Sequence, residues 1–255
     1  MRSFTFSVSY WILSVTYAGA AALAALTPSQ TATGWIIRRY VRRMVQAMRI
    51  FAGIHIEVRG REHLPAGAFV IASKHQSWGD GFATYDQFDD LAFVTGDHLE
   101  RFPLLGTVLR KLGAIVVNNC GGHDARQALA ARAADAHARG RRILIYPEGS
   151  LAKVGEKFRY RSGVWHMYRD FDMPVVPLAS NLGLFWPQEA YRKTPGRATL
   201  EFLPPIPTGL DKGEFLARLE AAVEDRTAEL IAEATGRPVT PAVRVTGPNE
   251  AVPSL

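Results

Sequence analysis

Short apolar runs of four to six residues recur between residues 53 and 210, separated by helical patterns or turns. They fall at 54–58, 68–72, 91–95, 114–117, 142–146, 175–180 and 198–203. Helical patterns occupy 82–90, 102–112, 124–139 and 164–170, and a long one closes the series at 215–234. Parallel neighbours need a crossover of about a dozen residues, whereas antiparallel ones need only a tight turn. The alternation therefore predicts an α/β domain with a mixed, largely parallel sheet flanked by helices. Ligands of such sheets lie beyond the carboxyl ends of the strands. A chain of 255 residues, 47% of them hydrophobic, suffices for one such domain and an appendage.

The appendage comes first. Residues 3–37 contain no charged side chain. Their core, 4–26, exceeds the roughly 20 apolar residues that cross a bilayer. Ser3, Ser7, Ser9, Ser14 and Thr16 dilute it, so a helix lying partly embedded is a second geometry. Residues 35–52 are amphipathic. Ile36, Ile37, Tyr40, Val41, Met44, Val45, Met48 and Phe51 recur at helical spacing, and Arg38, Arg39, Arg42 and Arg43 fall on the other side. That pattern suits an interfacial helix on anionic lipid. A cleaved signal peptide, with Arg2 as its basic end and the alanines of 20–25 as its cleavage zone, is the competing reading. The basic helix that follows directly favours a retained anchor. The arginines place everything after residue 37 in the cytoplasm, which makes the cytoplasmic membrane the expected location. The chain thus divides into membrane-associated helices at 1–52, a domain at 53–235 and a flexible tail at 236–255, rich in proline and poor in large apolar residues.

The net charge of +6 points to an anionic partner. The arginines of 124–142 read as a solvated helix face, and no nucleic-acid motif accompanies them. The single cysteine, Cys120, excludes an internal disulfide and a cysteine-only metal site. The Walker, dinucleotide and nucleophile-elbow glycine patterns do not occur.

Two strand ends carry chemistry. The first is "SKHQSWGDG", 73–81, where His75 and Asp80 stand five apart. On a straight helix they would lie about 140° apart around the axis. They meet only if His75 sits in the turn and Asp80 begins the helix. The carboxylate then fixes the imidazole tautomer and stabilises the imidazolium, as a general base requires. No serine or cysteine stands ready as nucleophile, so the base would activate the substrate's own hydroxyl. The second strand end is "LIYPEGS", 144–150. Here Glu148 offers an acceptor for substrate hydroxyls, and the N–H groups of Gly149 and Ser150 offer donors to a phosphate or oxyanion. Taken singly, each is equally an ordinary turn.

Together the two blocks resemble the 1-acylglycerol-3-phosphate acyltransferases, within the glycerolipid acyltransferases. The family's four blocks follow in order: H-x4-D at His75 and Asp80; a glycine before an apolar strand, "GAIVV" from Gly113; P-E-G-S from Pro147; and "PVVPLA" with Pro177. The resemblance extends over roughly residues 35–235. It implies a glycerol-3-phosphate acyltransferase-like fold. It also implies transfer of a fatty acyl group, from acyl-CoA or acyl-carrier protein, to the free sn-2 hydroxyl of 1-acylglycerol-3-phosphate, giving phosphatidate. His75 would be the base and Asp80 its partner. Glu148, Gly149, Ser150 and Arg161 would hold the acceptor, and Pro177 would shape the site. No metal and no bound organic cofactor is implied, the thioester being a cosubstrate.

The chain also departs from the family. Asn118 and Asn119 stand where Asp-Arg is usual, Leu151 where arginine is usual, and Gly96-Asp97 where lysine is frequent. A phosphomonoester wants cations, and Lys153, Lys157, Arg159 and Arg161 are the nearest substitutes. A lysolipid with another head group, such as a lyso-ornithine lipid, is therefore the alternative acceptor. A lipid-binding relative with little catalysis is the alternative class. Trp78 reads as a wall of the site or as packing on the sheet, and Phe185 and Trp186 as contacts to lipid or acyl chain or as core.

Overall fold

The structure is a computed structural model that describes residues 1–27, 30–96, 105–117 and 123–247. Helix α1 (Arg2–Ala25) packs along α2 (Gln30–Ala47), with Ser14 Oγ and Tyr40 Oη 2.9 Å apart. A π turn, Met48–Ala52, carries α2 into the domain. There follow β1 (Ile54–Arg59), β2 (Val70–Ser73), α3 (Asp80–Tyr85), β3 (Leu91–Gly96), α4 (Leu105–Lys111), β4 (Ile115–Val117), α5 (His123–Ala138) and β5 (Arg142–Ile145). The chain ends with β6 (Glu156–Lys157), α6 (Gly163–Asp170), β7 (Val175–Ser180), β8 (Gly196–Phe202), α7 (Lys212–Thr235) and β9 (Val243–Arg244).

Seven strands form one sheet in the order β1-β8-β7-β2-β5-β3-β4. Every neighbouring pair is parallel except β7 and β8. The mixed, largely parallel sheet expected from the alternation is the one found. Strand β2 lies at its middle, and the period-2 alternation of its side chains divides the core. Phe69 and Ile71 point into one apolar cluster with Met44, Met48, Ala83, Leu144 and Leu178. Val70 and Ala72 point into the other, with Val164, Met167, Phe215 and Leu219. Helices α1 to α3 thus cover one face, and α5 to α7 the other.

The N-terminal helices pack onto the domain: Phe6 is 1% exposed in the first cluster and meets the Trp186 ring edge-on at 4.9 Å. Trp186 and Phe185 are therefore core residues. The tail is not free throughout. Val243 and Arg244 pair in parallel with Glu156 and Lys157, and Arg244 holds Glu220 at 2.8 Å. Backbone pairing and a charged contact hold the segment without large apolar side chains. Residues 248–255 lie outside the described residues, as do Asp97, Asn118, Asn119 and Cys120.

Candidate active site

The sheet brings both chemical strand ends together. Ala72 of β2 lies opposite Ile145 of β5 on one side and Pro177 of β7 on the other. The loops leaving β2 and β5 therefore emerge side by side at the carboxyl edge of the central strands, where such sheets bind their ligands. Pro177 is buried in β7, and its carbonyl accepts from Leu203 N at 2.9 Å. It lies inside the sheet, beside the strand that leads to His75.

The ladder continues one residue beyond β2, through Lys74 N to Leu178 O at 3.0 Å, and the chain then turns. The turn is organised by Asp80, the first residue of α3. Its Oδ2 accepts from Gln76 N and Ser77 N, both at 2.8 Å, and from His75 Nδ1 at 3.1 Å. A carboxylate in that position accepts from an Nδ1–H, which is the tautomer that leaves Nε2 free to take up a proton. The His75 side chain is 17% exposed and that of Asp80 3%. One carboxylate thus builds the turn and orients the imidazole within it. Glycine is needed at position 79, since a Cβ there would stand 2.9 Å from the Trp186 ring. Trp78 is half exposed, and its Nε1 donates to Gln188 O. The His75 ring stacks on Tyr146, with centroids 3.8 Å apart and planes 16° apart.

The P-E-G-S turn is wired differently from the expectation. Glu148 faces inward, with its side chain fully enclosed. Its carboxylate lies 2.6 Å from Lys74 Nζ, itself fully enclosed, and accepts from Phe158 N at 3.3 Å. Lys74 also donates to both oxygens of Glu224 in α7, at 2.9 and 3.0 Å, and to Glu156 O at 3.1 Å. Tyr160 Oη completes the group by donating to Glu224 at 2.9 Å. Glu148 therefore grips an internal ammonium, not a substrate hydroxyl. Burial, against the pull of Lys74, pushes its pKa up to about 7, and Glu224 adds to the rise. Gly149 N is also committed, donating to Tyr146 O at 3.0 Å. Ser150 Oγ donates to Gly149 O at 2.9 Å.

Gly149 sits at φ 70°, and a Cβ on it would stand 2.9 Å from Arg161 Nε. The bare glycine lets the half-buried guanidinium lie against the turn, while Arg161 N donates to Pro147 O at 2.9 Å. Among the described residues no carboxylate pairs with that guanidinium. By contrast, Lys153 is paired with Glu189 at 3.2 Å and Lys157 with Glu220 at 2.9 Å. Of the substitute cations read from the sequence, Arg161 lies against the turn.

Lys74, Tyr146 and Glu224 went unmarked in the sequence. A lysine directly before the base was a signal, since a charge at the end of a buried strand must find a partner. Its partner is 150 residues away, which no local pattern reveals.

An open sheet with an imidazole–carboxylate pair at the carboxyl end of its middle strand defines a group-transfer site. Residues 55–181 match the acyltransferase family model, and that domain belongs to the family. The chain is 28% identical over 211 residues to the 1-acyl-sn-glycerol-3-phosphate acyltransferase of Pseudomonas aeruginosa, covering 83% of this chain and 82% of that one. It is 25% identical over 173 residues to the human alpha enzyme of the same name, of which it spans 61%. It is 28% identical over 199 residues to the lyso-ornithine lipid O-acyltransferase of Pseudomonas aeruginosa, covering 69% of this chain and 74% of the relative. The crystal structure of the LPA acyltransferase of Thermotoga maritima superposes with a TM-score of 0.72 at 19% identity, over 91% of this chain and 98% of that one, and shares its fold.

Proposed function

We infer that the chain acylates the sn-2 hydroxyl of 1-acylglycerol-3-phosphate, with acyl-CoA or acyl-carrier protein as donor. The observation that carries this reading is His75, whose Nδ1 lies 3.1 Å from Asp80 Oδ2, with Arg161 laid on the neighbouring P-E-G-S turn and paired with no carboxylate among the described residues. Nε2 takes the proton of the acceptor hydroxyl as its oxygen attacks the thioester carbonyl. The C–S bond breaks, the ester forms, and the imidazolium returns the proton to the leaving thiolate. The proposed chemistry draws on no metal or bound organic cofactor. Arg161 supplies the cation an acceptor phosphate needs. Helix α1 is long and apolar enough to cross a membrane, and its Trp11, Ile12 and Val15 are exposed. It holds the site at the membrane surface where lysolipids reside, on the cytoplasmic side of the inner membrane, as the arginines of α2 require.

Leu151 at a usually basic position favours a second acceptor, a lysolipid without a phosphomonoester such as a lyso-ornithine lipid. Purified protein in detergent, given labelled acyl-CoA or acyl-carrier protein and a panel of lysolipids, decides between them. The expected result is turnover of lysophosphatidate, abolished by His75→Ala in a variant that still folds. Preferred turnover of another lysolipid establishes the second acceptor, and a fully active His75→Ala enzyme refutes the mechanism.

A further inference from the structure

Sequence and family blocks leave Tyr146 as the last apolar residue before P-E-G-S, without a task. The structure lays its ring face to face with His75, at 3.8 Å and 16°. An imidazole held only by one Nδ1 contact can swing about that bond, carrying Nε2 with it. A flat aromatic wall at stacking distance removes this freedom. It also gives the imidazolium a π face to lie against while it holds the proton. The phenol hydroxyl has no part in this. It is enclosed, sits 3.8 Å from where a Cβ on Gly81 would stand, and has no hydrogen-bond partner among the described residues. Burial, with the nearby Asp80 charge, pushes its ionisation well above the ordinary range, so the ring stays a neutral phenol. The wall cannot easily drift. Gly149 N donates to Tyr146 O and closes the turn that follows β5, and Ala152 N donates to His75 O at 2.8 Å and ties that segment to the turn after β2.

We propose that Tyr146 is a positioning residue for the base: its ring, not its hydroxyl, fixes the imidazole plane and so aims Nε2 at the acceptor hydroxyl. This rests on His75 being the base of the proposed reaction. Misaiming a reacting group by about 1 Å costs up to about a hundredfold in rate. Tyr146→Leu keeps the bulk but loses the flat face. It is expected to lower kcat about tenfold or more while KM for acceptor and donor stays within about twofold. Tyr146→Phe is expected to restore kcat to within about threefold of the parent. A Leu variant with parental kcat overturns the proposal, and so does a Phe variant as slow as the Leu one, which would make the hydroxyl the acting group. Should the Leu variant not fold, the ring-proton resonances of His75 in the parent enzyme serve instead, assigned by their loss in His75→Ala. Stacking predicts that they lie upfield of those of the other histidines, and a position among the others refutes the stack. Full activity of His75→Ala would refute the base itself, whereas a dead His75→Ala beside a fully active Tyr146→Leu would refute only this inference.

Discussion

At the scale of single residues, the site is built by doing several tasks with few groups. Asp80 braces the turn after β2, starts a helix and orients the His75 imidazole through one oxygen. Arg161 is the guanidinium laid on the P-E-G-S turn, and its ability to grip a phosphate is testable alone. Arg161→Glu should raise the acceptor KM tenfold or more, since a charge-assisted pair of about 1.5–3 kcal/mol is replaced by repulsion, and leave the donor KM within about twofold. Initial-rate titrations of each substrate separate the two, and an unchanged acceptor KM would remove Arg161 from the acceptor site. The sequence made His75 and Asp80 legible because their partnership is local: five positions and one turn decide it. Glu148 was legible as important but not as inward-facing, because its direction is set by Lys74 and Glu224, which no window around it contains.

At the scale of elements, the ionic group around Lys74 ties β2, the turn after β5 and α7 into one unit. Breaking such a group by removing one partner costs about 3–5 kcal/mol, because charge is left buried without compensation. Lys74→Met should therefore lower the denaturation midpoint sharply, even though His75 and Asp80 are untouched, and a midpoint within error of the parent would show that the tie is dispensable. The group also gives stability a pH dependence of known sign. Glu148 titrates near 7 in the fold against an ordinary 4.5, so its folded form favours the proton. Its contribution is full below about pH 4.5 and is lost as pH rises through about 7. Melts over that window should fall with pH more steeply in the parent than in Glu148→Gln, and equal slopes would contradict the assignment. Elements themselves were readable from periodicity, with ends shifted by a few residues: the helix expected at 82–90 is Asp80–Tyr85. Strand order was not readable. The antiparallel reversal between β7 and β8 follows from packing across the stretch 181–195, which has no period of its own.

For the whole molecule, the N-terminal helices and the domain share a core. Removing residues 1–52 strips Phe6, Met44, Met48 and Ala52 from the main cluster as well as the exposed apolar helix. Losing a buried phenylalanine or methionine side chain costs about 2–5 kcal/mol. The truncated protein should leave the lipid fraction on flotation with vesicles and then aggregate. Continued flotation would contradict the anchor, and a monodisperse, fully active fragment would contradict the shared core. The sequence suggested a boundary at 52 because composition changes there. Composition does not record that one phenylalanine of the apolar helix is spent inside.

The pairing of first with last has a consequence for biogenesis. Ile54 lies opposite Gly196, Phe6 abuts Trp186, and Lys74 meets its counter-ion only at Glu224. A ribosome releases the greasy leading segment well before any of these later residues exist. Loop closures this long are slow and leave apolar surface bare meanwhile. The sheet therefore stays unclosed, and Lys74 without its counter-ion, until translation is nearly complete.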